Sequence, residues 1–316
     1  MPKRCRNTNV NSVMNGSKRP LSVTMVLFAK GFIMGASDVV PGVSGGTMAL
    51  ILGIYEKLIL SIKIFDIRLV RLVLQGQFKL AMRTIPFGFL LPLGFGILTA
   101  IFTMARGLSW LLENHPSAIW SFFFGLVLAS AMVVARRIGR WGWVTAASFL
   151  MATAGAYMLV GMVPMNTPET IPYIFLCGAI AICAMILPGI SGSFILVLLG
   201  KYKYILDAVA TFDLRVLLVF TIGTLSGILL FVRLLSWLLR HHYRITMAAL
   251  TGLMIGSLRK IWPWKSFAMP NTDGSIGGIA LVNTIPQEVD GDLFLAIALA
   301  IIGGVMVIFL QRLAEK

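Results

Sequence analysis

Charged side chains are scarce in this chain. Asp, Glu, Lys and Arg make up 12% of its 316 residues, 58% are hydrophobic, and the mean hydropathy is +0.90. A soluble domain of this length does not bury so much apolar side chain, so that class is excluded, and several runs approach the roughly 20 apolar residues that cross a bilayer. Acids are the rarer sign, 12 against 27 Lys and Arg, which leaves a net charge of +15. Such an excess can serve nucleic acid. Here the basic residues sit between apolar runs, where the positive-inside rule puts them, and no nucleic-acid partner is expected. Cysteine is nearly missing: Cys5, Cys177 and Cys183 fit no metal or redox spacing, and the last two read as small apolar packing residues. No nucleotide loop and no zinc motif is visible, so neither cofactor nor metal is expected. A secretory signal is lacking too. Residues 1–20 are polar, carry Lys3, Arg4, Arg6, Lys18 and Arg19, and read as a basic cytoplasmic tail; the apolar run after them holds Lys30 and has no small-residue cleavage site.

What is present is one phrase written twice. Pro41-Gly42-Val43-Ser44-Gly45-Gly46 recurs as Pro188-Gly189-Ile190-Ser191-Gly192-Ser193, each time inside an apolar stretch. Proline has no N–H and glycine tolerates dihedrals that others avoid, so each copy breaks a helix. In lipid, broken backbone survives only where protein or a water-filled cavity satisfies its polar groups. Two matching breaks point to the place where something polar binds.

The repetition extends beyond the phrase. Residues 41–55 lie on residues 188–202 without a gap, and Phe65 and Arg68 fall on Phe212 and Arg215. After extra residues in the first copy the match resumes, with Leu108-Ser109-Trp110-Leu111-Leu112 on Leu235-Ser236-Trp237-Leu238-Leu239. Arg106 falls on Arg233, His115 on His242 and Gly125-Leu126 on Gly252-Leu253. The expected fold is an all-α polytopic membrane protein, an internal repeat of about five apolar segments per copy. The segments run over 21–37, 43–62, 86–112, 117–135 and 142–163, then 171–187, 190–206, 214–239, 245–261 and 293–311. The first repeat covers 21–163 and the second 164–316.

Residues 43–55 would make a helix about 20 Å long against a hydrocarbon core of about 30 Å. Each Pro-Gly motif therefore reads as the tip of a re-entrant helical hairpin; two kinked full spans are the alternative. Either way the chain returns to the side it left, three crossings follow, and the second copy is inverted. Charge agrees. Lys63, Arg68, Arg71, Lys79 and Arg83, then Arg136, Arg137 and Arg140, then Arg240 and Arg244 fall inside, with both termini. The 263–292 loop, with Asp273, Glu288, Asp290 and Asp292, falls outside; Lys201, Lys203, Arg259 and Lys260 are exceptions. Residues 63–83 read as an interfacial helix whose face of Arg68, Arg71 and Gln75 lies on anionic lipid headgroups.

Ser44-Gly45-Gly46-Thr47 and Ser191-Gly192-Ser193 each open a helix, where free N–H groups and hydroxyls attract an anion. The plainer alternative is N-caps and packing glycines. Arg106 and Arg233 stand inside apolar helices, four residues before Trp110 and Trp237; each either snorkels or meets an anion such as phosphate. Lys30 and Asp38 flank the first hairpin and are candidates for coupling to a proton or a cation such as sodium, or else a plain charge pair.

The stretch from Lys30-Gly31 to Tyr55-Glu56, with its Met-Gly-Ala-Ser-Asp-Val-Val-Pro-Gly-Val-Ser-Gly-Gly-Thr core, and the later Leu-Pro-Gly-Ile-Ser-Gly-Ser resemble the PopT-type family of undecaprenyl-phosphate translocases. The resemblance covers nearly the whole chain after residue 20. It implies a flippase of the bacterial cytoplasmic (inner) membrane, which returns undecaprenyl phosphate or a similar polyprenyl phosphate from the outer to the cytoplasmic leaflet for reuse in peptidoglycan and other envelope polymers. With that substrate, the anion-binding residues read above, Ser44, Gly45, Gly46, Thr47, Ser191, Gly192 and Ser193, would cradle the phosphate, and Arg106 and Arg233 would attract it at the two faces. A homo-oligomer is compatible with that reading. Two other classes compete. Integral-membrane undecaprenyl-diphosphate phosphatases share a Pro-Gly-x-Ser motif, but there an arginine follows the serine and glutamates occupy the partner motif; here Gly45 and Gly192 follow, and no catalytic residue is expected. A small-ion or solute transporter would need more intramembrane carboxylates than Asp38 supplies.

Overall fold

The computed structural model describes residues 21–38, 44–65, 67–162, 164, 167–267, 281–286 and 291–315. The expected tail at 1–20, the tip at 41–43, and Asp273, Glu288 and Asp290 of the 263–292 loop lie outside the described residues.

Among the described residues fourteen helices form in chain order. The first copy holds α1 (Leu21–Asp38), α2 (Gly45–Ile51), α3 (Tyr55–Lys63), α4 (Ile67–Leu74), α5 (Phe78–Thr84), α6 (Phe87–Asn114), α7 (Pro116–Ile138) and α8 (Trp143–Val160). The second holds α9 (Ile171–Ile186), α10 (Gly192–Leu198), α11 (Tyr202–Ala210), α12 (Leu214–His241), α13 (Tyr243–Ser257) and α14 (Gly291–Glu315). A short antiparallel ribbon, β1 (Lys265–Phe267) with β2 (Leu281–Asn283), adds to the expected all-α class. Among the described residues α6, α7, α8, α12 and α14 are long and apolar enough to cross a bilayer.

Two boundaries differ from the sequence reading. In place of one interfacial helix over 63–83 there are two, α4 and α5, because the chain turns at Gln75-Gly76-Gln77. The α13 helix stops at Ser257, so residues 258–261 form a turn outside it.

Both motif segments turn back in the same way. The α2 and α3 helices meet at 118°. The bend is made at Gly53 (φ 67°), and its counterpart Gly200 (φ 65°) ends α10, a left-handed cap that glycine takes without cost. Capping bonds recur in register: Ile54 N–H donates to Ala49 O at 2.9 Å, and Lys201 N–H to Leu196 O at 2.8 Å.

Helices pair closely as α1 with α6, α9 with α12, α7 with α14, and α8 with α13. Small residues let the backbones touch, which is how helices associate in lipid. Gly31 meets Leu93 and Gly178 meets Phe220; Gly96 meets Phe28 and Gly223 meets Phe175. Each contact thus has its partner in the other copy. The α7 and α13 helices also pack together. Lys265, just past α13, lies over the ring of Trp120 near the start of α7, so these two corresponding helices run in opposite directions. The main core gathers Met48, Ile51, Phe89, Leu126, Met247 and Met254 around α2 at the centre.

Candidate functional site

The start of α2 and Tyr55 at the start of α3 meet the end of α9 and Gly189 in the core. Pro188 ends α9, whose last carbonyls then lack amide partners in the helix. Hydroxyls from the first copy supply them. Tyr55 Oη donates to Ile186 O at 3.1 Å, and Ser44 Oγ reaches the carbonyls of Met185 and Leu187, both at 3.4 Å. In return Gly189 N–H donates to Thr47 Oγ1 at 3.0 Å. Glycine is required at 189: its φ is 89°, and a Cβ there would lie 2.7 Å from Ser257 Oγ. At Gly46 a Cβ would sit 2.8 Å from Ile186 O, so the close approach of the two copies also needs a bare backbone.

The two half-sites are not in the same condition. In the first, Ser44 caps α2 and accepts from Gly46 N–H at 3.1 Å, and the carboxylate of Asp38 accepts from Gly45 N–H at 2.6 Å. Ser44 is 2% exposed and Thr47 0%. Every hydroxyl and the Gly45 and Gly46 amides are engaged, and a carboxylate already stands where an anion would. In the second, Ser191 caps α10, accepts from Phe194 N–H at 3.5 Å and shares a 2.7 Å hydrogen bond with Ser193. Gly192 is buried against Ala181, while Ser193 is exposed. Among the described residues no basic side chain is a hydrogen-bond partner of Ser44, Ser191 or Ser193.

Lys30 and Asp38 do not pair with each other. Lys30 Nζ donates to Leu52 O at 2.9 Å, and Arg137 donates to Leu50 O at 3.3 Å, so two cations serve the carbonyl end of α2. Asp38 serves its amide end. Arg233 is exposed on α12, with Trp237 one turn on stacked against His241 at 5.2 Å. Arg106 falls in α6, and its side chain lies outside the described residues.

Sequence reasoning missed Tyr55, Arg137 and Lys260 as neighbours of this centre. Tyr55 carried a signal, since a tyrosine stands at the matching position 202. Lys260 carried one too, as an exception to the charge rule. Its Nζ lies 3.5 Å from the centre of the ring of Phe194, the residue that follows Ser193 in the chain. Among the described residues no cluster of His, Cys, Asp or Glu could hold a metal ion.

Residues 34–276, which include both motifs, match the family model VCA0040-like, described as undecaprenyl phosphate translocase-like. The chain belongs to this family. It is 42% identical over 302 residues to a polyprenyl-phosphate transporter of Vibrio cholerae serotype O1, covering 92% of this chain and 96% of that protein. It is 33% identical over 254 residues to a polyprenyl-phosphate transporter of Staphylococcus aureus, covering 74% of this chain and 84% of that protein. No solved structure matches it. With its apolar helices, membership makes the chain a multi-pass membrane protein of the polyprenyl-phosphate transporter family.

Proposed function

We propose that this protein carries undecaprenyl phosphate from the outer to the cytoplasmic leaflet of the bacterial inner membrane, returning the carrier for reuse in envelope polymer synthesis. The observation that carries this reading is the central junction, where two broken segments place hydroxyls and backbone amides in contact inside an otherwise apolar helical molecule. A phosphate head needs such a polar place at mid-membrane, while the long tail can stay in lipid.

The repeat is read as inverted, with the hairpins entering from opposite faces. The matched helix contacts and the opposed α7 and α13 support this. The charge pattern orients it with both termini in the cytoplasm. In the conformation at hand the Asp38 carboxylate closes the first half-site and Ser191–Ser193 leaves the second open to the outer side. Phosphate received at Ser191 and Ser193 passes to Ser44, Gly45, Gly46 and Thr47 once Asp38 lets go of the Gly45 amide. Protonation of Asp38, or a cation such as sodium drawn to it, would release that amide, which couples carriage to an ion gradient. Lys30 acts in this scheme as a fixed cap of α2. Arg233, and Arg106 at the other face, attract the anion at the surface. No bond is made or broken: neither motif serine has a base to activate it.

The experiment replaces Ser191 and Ser193 with alanine and, separately, Arg233 with Gln in cells lacking the native gene. Each variant should recycle the carrier more slowly and sensitise cells to agents that sequester surface undecaprenyl phosphate. Full complementation by all of them would refute the assigned roles. Sustained phosphate release from undecaprenyl diphosphate by the purified protein would replace the transport reading with an enzymatic one.

A further inference from the structure

On the outer side the chain leaves α13 and crosses to α7 as a short segment over residues 258–267. Two lysines on it hold ammonium groups against aromatic rings. Lys260 Nζ lies 3.5 Å from the centre of Phe194, next to Ser193, and Lys265 Nζ lies 4.4 Å from the centre of Trp120. Lys265 also donates to the Lys260 carbonyl at 2.6 Å, which ties the two together. Among the described residues neither lysine has a carboxylate partner, and Lys260 Nζ has no hydrogen-bond acceptor. Two half-buried cations on one short segment, with no carboxylate beside them among the described residues, suit an anion at the rim of a membrane protein. Burial and the neighbouring Lys265 push the Lys260 ammonium down to about 7, as expected of a cation that lacks its counter-charge.

Beside them lies an apolar groove of about 360 Å³ between α7 and α14. Trp262 and Trp264 line its outer part, and Phe124, Leu128, Met132 and Ile301 are among the residues along it. Phe124 stands one helical turn below Trp120, so the Lys265 end of the segment adjoins the groove. From Phe124 to Met132 the groove follows α7 for about 12 Å. A charged rim over a long apolar slot matches a ligand with an anionic head and an unbranched chain of apolar units.

We infer that this groove seats the first isoprene units of polyprenyl phosphate while Lys260 and Lys265 hold its phosphate, delivering the head to Ser191 and Ser193. The inference rests on the transport reading above and gives it an entry site. It commits to polyprenyl phosphate and not to ordinary anionic phospholipid, whose two acyl chains ask for a wider surface than one slot.

The test uses the full chain in nanodiscs of phosphatidylcholine, with farnesyl phosphate, farnesol and inorganic phosphate as probes and tryptophan fluorescence as readout. Wild type should bind farnesyl phosphate. Lys260→Gln with Lys265→Gln should weaken it by about tenfold or more, the size expected for losing charge-assisted contacts, and leave farnesol unchanged. Met132→Trp, at a side chain 52% exposed and so outside the core, should fill the groove and weaken both prenyl probes. Unchanged binding in the double lysine variant, or in Met132→Trp, overturns the assignment. So does full competition by phosphatidylglycerol in the nanodisc, which would mark a general lipid site. Wild-type protein that binds no prenyl phosphate anywhere refutes the transport reading as well; binding that only the Ser191 and Ser193 variants impair leaves that reading standing and removes the groove.

Discussion

At Gly45 the backbone N–H points at a carboxylate 2.6 Å away, and the carboxylate belongs to the last residue of the preceding helix. Removing only its charge separates fold from coupling. Asp38→Asn can still accept the hydrogen bond, so stability should fall by no more than about 1–2 kcal/mol. Carriage in proteoliposomes should lose its dependence on pH or on a cation gradient. Retention of wild-type dependence would take Asp38 out of the scheme. Lys260 gives a second residue-scale prediction, with its sign fixed by its depressed value of about 7. The groups around it are the Lys265 ammonium, the Phe194 ring and the neighbouring Arg259, whose guanidinium is held 4.4 Å from the centre of the Tyr157 ring. Below about 7 Lys260 is charged and attracts phosphate; above it the charge is lost. Farnesyl phosphate affinity should therefore fall as pH rises from 6 to 8. The ligand itself gains charge near pH 6, so the comparison that isolates Lys260 is Lys260→Arg, which should hold its affinity across the range.

At the scale of elements, the hairpins depend on a few backbone positions. Gly189→Ala would force a Cβ into the left-handed region, at about 1–2 kcal/mol, and against Ser257 Oγ. It would also displace the N–H that Thr47 accepts. The variant should melt several degrees lower in detergent and carry little lipid; wild-type melting and activity would mean that the junction bends freely. That the helices break at both motifs was legible because proline and glycine act locally, and most helix limits followed from apolar runs. Contacts between the copies were not legible. Nothing in the spacing of Tyr55 says that its hydroxyl reaches Ile186 O, or that Lys30 turns to Leu52 O and not to Asp38. Those choices depend on which carbonyls the breaks leave open. The 63–83 stretch misled for the opposite reason: its basic periodicity is real, yet Gly76 (φ 72°) takes a left-handed turn that splits it into α4 and α5.

For the whole molecule, three of the four exceptions to the charge rule, Lys201, Arg259 and Lys260, are cations that the protein itself holds, while Lys203 is exposed. Lys201 is 3% exposed and donates to Thr167 O at 2.7 Å beside Glu169. Arg259 bonds Tyr157 O at 3.0 Å, and Lys260 lies on Phe194. A charge fixed by tertiary contacts says little about which side a loop occupies, so the orientation rests on the remaining basic loops taken together. In a chain whose native cysteines are replaced, Gly142→Cys should label only from the cytoplasm and Thr170→Cys only from outside; labelling of both from the same side would end the inverted arrangement, and the reverse pattern would place the termini outside. The central claim is carriage of a lipid phosphate across the bilayer. The most direct measurement is leaflet-resolved detection of undecaprenyl phosphate in proteoliposomes of purified protein, with and without an ion gradient. The account predicts rapid transfer between leaflets, faster with the gradient and slowed by Ser191→Ala, with no phosphate released. Transfer no faster than in protein-free liposomes would contradict it.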